Sequence, residues 1–372
     1  MALESLDAEA IAEAIVLAAV APLAATGAAA KVSRFRAERG AEGMTRSWRL
    51  EYGGAAETFF DLASLTKPMT AIAVARAGID PMAPLASFLP ELAGTASAEV
   101  SLDLLLSHRA GLAPHITIYA PLVEGKSVDR ASALQTASEA RREDARGAVP
   151  AGGFPPVYSD MGYMLAGEAL ARATGATDAG EAIAKWVVLP LGLGAELGTA
   201  RELEAQGIDL TRIAAPTEDV AWRGGVVRGR VHDENAWAIT GAGGSGHAGM
   251  FGTVRAVLAF GCAVLDAIES KTAPLGCERG IAWLVTPRQG GTLRAGFDGK
   301  SPEGSCAGGL AGPSTFGHLG FTGTSLWIDP DAGAVVTLLT NRIHPTRENI
   351  AIRAARPGAH DALFARARVL AR

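Results

Sequence analysis

Ser64 and Lys67 stand three positions apart in the run Phe59-Phe60-Asp61-Leu62-Ala63-Ser64-Leu65-Thr66-Lys67-Pro68. Met69 to Ala77, which follows, is a good helix former, and residues i and i+3 share one helix face. A helix that starts near Ser64 therefore points the hydroxyl and the amine into one space. A serine hydroxyl is a weak nucleophile until a neighbour takes its proton, and an amine does so when burial lowers its pKa. A helix N-terminus also offers unpaired N–H groups and the positive end of a dipole, both suited to an oxyanion. The pair is a candidate nucleophile and base for acyl transfer. Taken alone, the same residues also read as an N-capping serine and a solvated lysine.

Two more polar clusters lie at predicted element ends. Tyr158-Ser159-Asp160 precedes a helix, where a phenol beside a carboxylate can relay protons. Ser159 or Asp160 is equally a good N-cap, and Tyr158 could serve packing alone. Phe316-Gly317-His318-Leu319-Gly320-Phe321-Thr322-Gly323-Thr324 feeds a strand. Its glycines let backbone N–H groups approach a ligand, and His318 supplies an adjustable charge. A tight strand with a surface histidine is the plainer reading.

The elements that must position these groups follow from periodicity. Leu6 to Val20 reads as an amphipathic helix, and Ala28–Arg36 with Thr45–Tyr52 as an antiparallel hairpin. From Thr66 to about Leu193 the pattern is almost wholly helical: Ser101–His108 with a capping signal, Asp129–Arg142, Asp160–Ala173 stopped by Gly175, and Ala179–Val188. Gly241–Gly252 reads as a loop. Thr253 caps an apolar helix to about Ile268. Strand-like runs return late, at His318–Ile328 and Ala334–Thr340, and Asn349–Leu370 closes the chain as a helix interrupted at Pro357-Gly358. Helix, hairpin, many helices, then strands and a helix predict an α+β protein. Its sheet is made from both ends of the chain, with a helical insertion between.

In this order and on these elements, the clusters resemble the serine β-lactamase and penicillin-binding-protein superfamily, most closely the class C branch, which includes esterases and D-amino-acid peptidases. The likeness runs through Phe59–Lys67, Leu105–Leu112, Tyr158–Glu168, His232–Thr253 and His318–Pro345. It implies an antiparallel sheet flanked by helices, formed from residues 1–70 and 235–372, with an all-helical subdomain over 71–234 and the active site between them. It also implies roles. Ser64 is the nucleophile, Lys67 its proton acceptor or electrostatic partner, and Tyr158 shares acid and base duty. The backbone N–H groups of Ser64 and Phe321 form the oxyanion hole, each donor worth about 3 kcal/mol in the transition state. Asp160, His318, Leu319 and Gly320 contact substrate.

Two positions depart from that family's pattern. Asp160 stands where the family has asparagine; it favours a charged Lys67 and shifts the base role toward Tyr158. His318 stands where the family has lysine, and a histidine is mostly neutral near pH 7. Both changes weaken recognition of a carboxylate beside the scissile bond and favour an esterase-like hydrolase of small esters, amides or lactams. A β-lactamase or D-amino-acid peptidase is the alternative, and a silent ligand-binding homologue a third reading.

Composition bounds the rest. A chain of 372 residues with 48% hydrophobic content and net charge −5 has ample core and no basic stripe for nucleic acid. Cys262, Cys277 and Cys306 lack metal-ligand spacing and read as reduced thiols. Ala14–Ala30 is apolar, but Glu4, Asp7 and Glu9 precede it and Pro22 and Gly27 break it, which fits neither a spanning helix nor an ordinary export signal. A cytoplasmic protein without a membrane segment is the expectation, an atypical signal the alternative. No sequence feature sets an oligomeric state. No cofactor or metal is expected. Gly241-Ala242-Gly243-Gly244-Ser245-Gly246 matches a dinucleotide fingerprint but opens no immediate helix, so it reads as a flexible loop beside the cleft. His232-Asp233-Glu234-Asn235 reads as pocket framing rather than a metal site, and His108 and His344 as structural.

Overall fold

Ala334–Thr340 is a run of apolar and threonine side chains, which demands cover on both faces of a sheet. The structure, a computed structural model, describes residues 27–40, 43–52 and 55–370. Its strands are β1 (Gly27–Gly40), β2 (Gly43–Tyr52), β3 (Phe60–Asp61), β4 (Leu197–Thr199), β5 (Asp219–Val220), β6 (Gly225–Val226), β7 (Met250–Gly252), β8 (Asp298–Gly299), β9 (Phe316–Leu319), β10 (Ser325–Asp329) and β11 (Ala334–Thr340). A six-stranded antiparallel sheet runs β2-β1-β11-β10-β9-β8, beside a three-stranded sheet β3-β7-β4 and a hairpin β5-β6. The main helices are α1 (Thr66–Arg76), α2 (Leu102–Leu106), α3 (Arg130–Glu139), α4 (Asp160–Thr174), α5 (Glu234–Thr240), α6 (Val254–Glu269) and α7 (Ile352–Leu370).

Every residue of β11 is buried, and the period of two sends alternate side chains to opposite layers. Val335 and Leu339 join the larger core with α6. Val336 and Leu338 pack with Leu363 and Phe364 of α7. Each such fully buried aliphatic side chain contributes about 1.5–3 kcal/mol, so the sheet is fixed from both sides. Trp48 of β2 ties that edge to α6 by donating its indole N–H to Asp266 Oδ2 at 2.8 Å.

Several expectations need correction. The His318–Ile328 run is two strands, β9 and β10, paired antiparallel with Ser325 opposite Leu319. The turn between them is held where Thr322 Oγ1 donates to Asp61 O and Thr324 Oγ1 to Leu62 O, at 2.7 and 3.1 Å. The last helix starts at Ile352 and runs through Pro357 without a break, because Ala359, Leu363 and Phe364 beyond the proline bury against the sheet. Strands are not confined to the late chain: β4 through β7 are short pieces, two to three residues each, below the length at which periodicity registers. Residues 241–249 are not a loose loop. Gly244, Ser245 and Gly246 are buried, and a Cβ on Gly246 would lie 2.0 Å from the Tyr163 carbonyl oxygen of α4. The expected hairpin is present as β1 and β2. The expected Leu6–Val20 helix lies outside the described residues.

Candidate active site

From Phe59 through Ala75, Ser64 is the one residue that is not buried. The chain leaves β3, makes a 3-10 turn over Ala63–Leu65 and enters α1. Ala63 takes φ 46°, a left-handed conformation that costs an alanine on the order of 1 kcal/mol. The Asp61 carboxylate supports that bend, Oδ1 accepting from Ala63 N at 2.8 Å and Oδ2 from His232 N at 2.7 Å. Burial pushes the Asp61 carboxyl up to about 6, although these two N–H donors pull the other way. α1 is buried on nearly all sides, so the turn that presents Ser64 is carried by an element at the centre of the core.

Lys67 is 0% exposed. Its ammonium donates to Ser64 Oγ at 2.9 Å, to Asp160 Oδ1 at 2.7 Å and to His247 O at 3.4 Å. An ammonium has three donors, and all three are used. Burial alone would lower the Lys67 pKa, but the Asp160 and Tyr158 charges override it and raise it. Burial likewise opposes ionisation of Asp160, yet Lys67, His115 and His247 hold its carboxyl well below the ordinary range. At neutral pH this is a charged pair, as the sequence led us to expect.

Ser159 caps α4, its Oγ accepting from Gly162 N at 3.3 Å and donating to Ala113 O at 2.6 Å. Its own N–H donates to His108 Nδ1 at 3.0 Å. His108, buried at φ 61°, stacks on Tyr158 with ring centroids 4.7 Å apart. His318 covers Tyr158 at 5.8 Å, and Lys67 Nζ sits 4.7 Å from the phenol ring centroid. Burial raises the Tyr158 pKa, and the adjoining Lys67 ammonium and Ser64 hydroxyl only partly offset this.

These groups open into a cavity of about 770 Å³, which Ser64, Tyr158, Asp160, Leu319, Gly320 and Phe321 help to line. His318 is only 4% exposed. Its Nδ1 meets Leu319 O at 2.8 Å, and burial with the nearby Lys67 charge lowers its pKa to about 3. It is a neutral imidazole packed beside the phenol, whereas Phe321 is 47% exposed over the cavity. Gly320 is required where it stands: a Cβ there would lie 1.9 Å from Thr324 Oγ1 and 2.6 Å from Leu62 O.

Sequence reasoning missed several residues. His115 places Nδ1 3.9 Å from Asp160 Oδ2 and lines the cavity. His247 Nε2 meets Asp233 Oδ1 at 2.9 Å, and Asp233 also caps α5 through Ala236 N. Arg342, Arg347, Arg353 and Arg356 form another wall. None belongs to a local motif with the catalytic candidates, so spacing carried no signal; only the fold brings them together. His232, Asp233 and Glu234 do frame the cavity.

Comparison with known proteins bears on the family and the fold. The family model described as Beta-lactamase matches residues 23–359. A protein of Salmonella gallinarum (strain 287/91 / NCTC 13346) named "Putative D-alanyl-D-alanine carboxypeptidase" is 30% identical over 213 residues, 50% of this chain and 45% of that protein. The chain thus spans less than half the length of that relative. The solved structure of "EstCE1, a hydrolase with promiscuous acyltransferase activity" superposes with a TM-score of 0.65 at 18% identity, covering 96% of this chain and 98% of that one. The octameric penicillin-binding protein homologue from Pyrococcus abyssi gives a TM-score of 0.62 at 16% identity, covering 97% and 77%. These two structures share the fold.

Proposed function

This chain belongs to the beta-lactamase family, and on that premise we propose that it is a serine hydrolase cleaving an ester or amide through an acyl-enzyme on Ser64. The observation that carries the reading is the chain of contacts from Asp160 through Lys67 Nζ to Ser64 Oγ, ending at the one unburied residue of the segment 59–75, on a cavity. Ser64 Oγ attacks the carbonyl carbon. Its proton passes to Tyr158, acting in the phenolate form, because Lys67 has no lone pair while it remains an ammonium. The carbonyl electron pair moves to the oxygen, which the Ser64 and Phe321 N–H groups hold. Collapse expels the leaving group, which takes the proton back from Tyr158. Water then attacks the acyl carbon and gives a proton to Tyr158; collapse of that adduct expels Ser64 Oγ, which takes the proton back from Tyr158, and releases the acid.

The neutral, buried His318 in the place of the family's strand lysine favours esters over substrates with a carboxylate beside the scissile bond. The carboxypeptidase name of the curated relative supports a second reading, hydrolysis of a D-amino-acid amide or lactam. Intact-mass spectrometry after exposure to a fluorophosphonate and to a penicillin, with wild type and Ser64→Ala, separates these. Fluorophosphonate addition to wild type alone is expected. No addition to folded wild type ends the proposal. A persistent penicilloyl adduct without ester turnover makes the chain a ligand-binding homologue, and rapid penicillin turnover makes the second reading the right one.

A further inference from the structure

Past the Leu319–Phe321 edge, the same cavity is walled by Arg342, Arg353 and Arg356. Arg342 and Arg356 are buried, and among the described residues their hydrogen bonds go to backbone carbonyls. Arg342 Nε donates to Phe321 O and Nη1 to Arg347 O and Asn349 O, each at 2.9 Å. Arg356 Nη2 donates to Thr324 O at 3.0 Å and Gly320 O at 3.3 Å. Arg356 Nε is buried without any partner. Arg353 is exposed at the same wall. Among the described residues no carboxylate forms an ion pair with any of the three. Of the acids lining the cavity, Glu234 is engaged by Arg347, Asp233 by His247 and Asp160 by Lys67, and Glu218 also pairs with Arg347.

Burial, with smaller contributions from neighbouring arginines, lowers Arg342 and Arg356 to about 10. Three guanidinium groups without an ion-paired carboxylate make this end of the cavity positive, with Glu218 acting on Arg342 only through space. A guanidinium fork with an unused, buried N–H matches a planar carboxylate. Phe321 and Ile352 add apolar surface to the same lining, which suits methylenes. We propose that the Arg342–Arg353–Arg356 wall is an anion subsite that holds a carboxylate carried by the substrate at a distance from its scissile bond. This rests on the hydrolase reading above and narrows it. The substrate is an ester or amide bearing a remote carboxylate, and the charge lost at His318 is supplied at another place.

The test compares kcat/KM for charged and neutral ester pairs: mono-4-nitrophenyl adipate against 4-nitrophenyl hexanoate for an acyl-side carboxylate, and 4-carboxyphenyl butyrate against phenyl butyrate for a leaving-group one. Rates are corrected with Ser64→Ala. In wild type one charged ester is expected to exceed its neutral partner by about tenfold, the order of one charge-assisted hydrogen bond. That ratio is expected to fall severalfold in Arg353→Gln, which sits on the surface, and to approach one in Arg356→Gln. Fluorophosphonate labelling of Ser64 in each variant reports whether it is folded. A ratio near one for both pairs in an active wild type, or an advantage that survives both substitutions, overturns the subsite while leaving the hydrolase reading intact. No turnover of the neutral esters and no labelling overturns that reading instead.

Discussion

Replacing Asp160 by asparagine preserves the size of the side chain and removes the charge that holds Lys67. At 2.7 Å and an effective dielectric near 20, the gross attraction is about 6 kcal/mol. Breaking a buried pair typically costs about 3–5 kcal/mol, and the amide oxygen still accepts one hydrogen bond from Nζ. We therefore expect a loss of about 3 kcal/mol at pH 7, with a fall in Tm of about 5 °C or more. The pH dependence has two signs. The Asp160 carboxyl is depressed, so its contribution is present above the unfolded value near 4 and lost as pH falls through the folded one. The Lys67 amine is raised, so its contribution is present below the unfolded value and lost as pH rises through the folded one. The destabilisation should be largest between these limits and shrink toward pH 3. Catalysis should respond in the other sense. With Lys67 and Tyr158 both raised, wild-type kcat/KM for a 4-nitrophenyl ester should climb without a plateau to about pH 9 or above. In Asp160→Asn burial acts on Lys67 unopposed by that charge, so the amine loses its proton at lower pH and the rising limb moves down. Parallel pH–rate profiles and urea titrations check both. A rising limb superimposable on wild type would refute the idea that the Asp160 charge governs proton acceptance.

Tyr158→Phe keeps the ring between His108 and His318 and removes the phenol; kcat/KM should fall by about 10²–10⁴ with little change in Tm, and activity within tenfold of wild type would remove Tyr158 from the proton path. Gly320→Ala drives a Cβ into Thr324 Oγ1 and the Leu62 carbonyl. It should displace the Phe321 N–H and lower kcat/KM by about a hundredfold, comparable with losing one oxyanion donor of about 3 kcal/mol, while circular dichroism reports a retained fold. His360 is buried between Ser325 Oγ at 2.8 Å and Cys306 O at 2.5 Å, with burial depressing its pKa to about 4. Its neutral form contributes stability above the unfolded value near 6.5, and up to about 3 kcal/mol of it is lost as pH falls toward 4. In His360→Gln, urea titrations should therefore show a shallower loss of stability across that window than in wild type.

The catalytic candidates were legible because each sits in a short local pattern at an element end. Ser64 and Lys67 share one helix face, and Tyr158 precedes a cap that Ser159 supplies. The Lys67–Asp160 contact was also foreseeable, since an aspartate in the asparagine's place has few other roles there. The break between β9 and β10 was hidden because Gly320 and Gly323 flank residues of high strand preference. Side-chain hydroxyls of Thr322 and Thr324 reaching Asp61 and Leu62 make the turn, and those contacts span more than two hundred residues. The arginine wall was illegible for the same reason: Arg342 follows a strand and Arg356 lies within α7, and only the packing of that helix beside the Gly320 turn joins them. The burial of residues 243–249 depends on absent side chains on α4 and the loop, which composition reports as looseness.

The position of β1 between β2 and β11 has a consequence for synthesis. Gly27 faces Thr340 and Arg34 faces Ala334, so β1 waits for a partner that leaves the ribosome three hundred or more residues later. Until then one long edge of the β1–β2 hairpin offers unpaired backbone groups to any other extended chain. A nascent chain of this kind is exposed to aggregation along that edge until β11 emerges, and shielding of the β1–β2 hairpin by chaperones should govern its yield in cells.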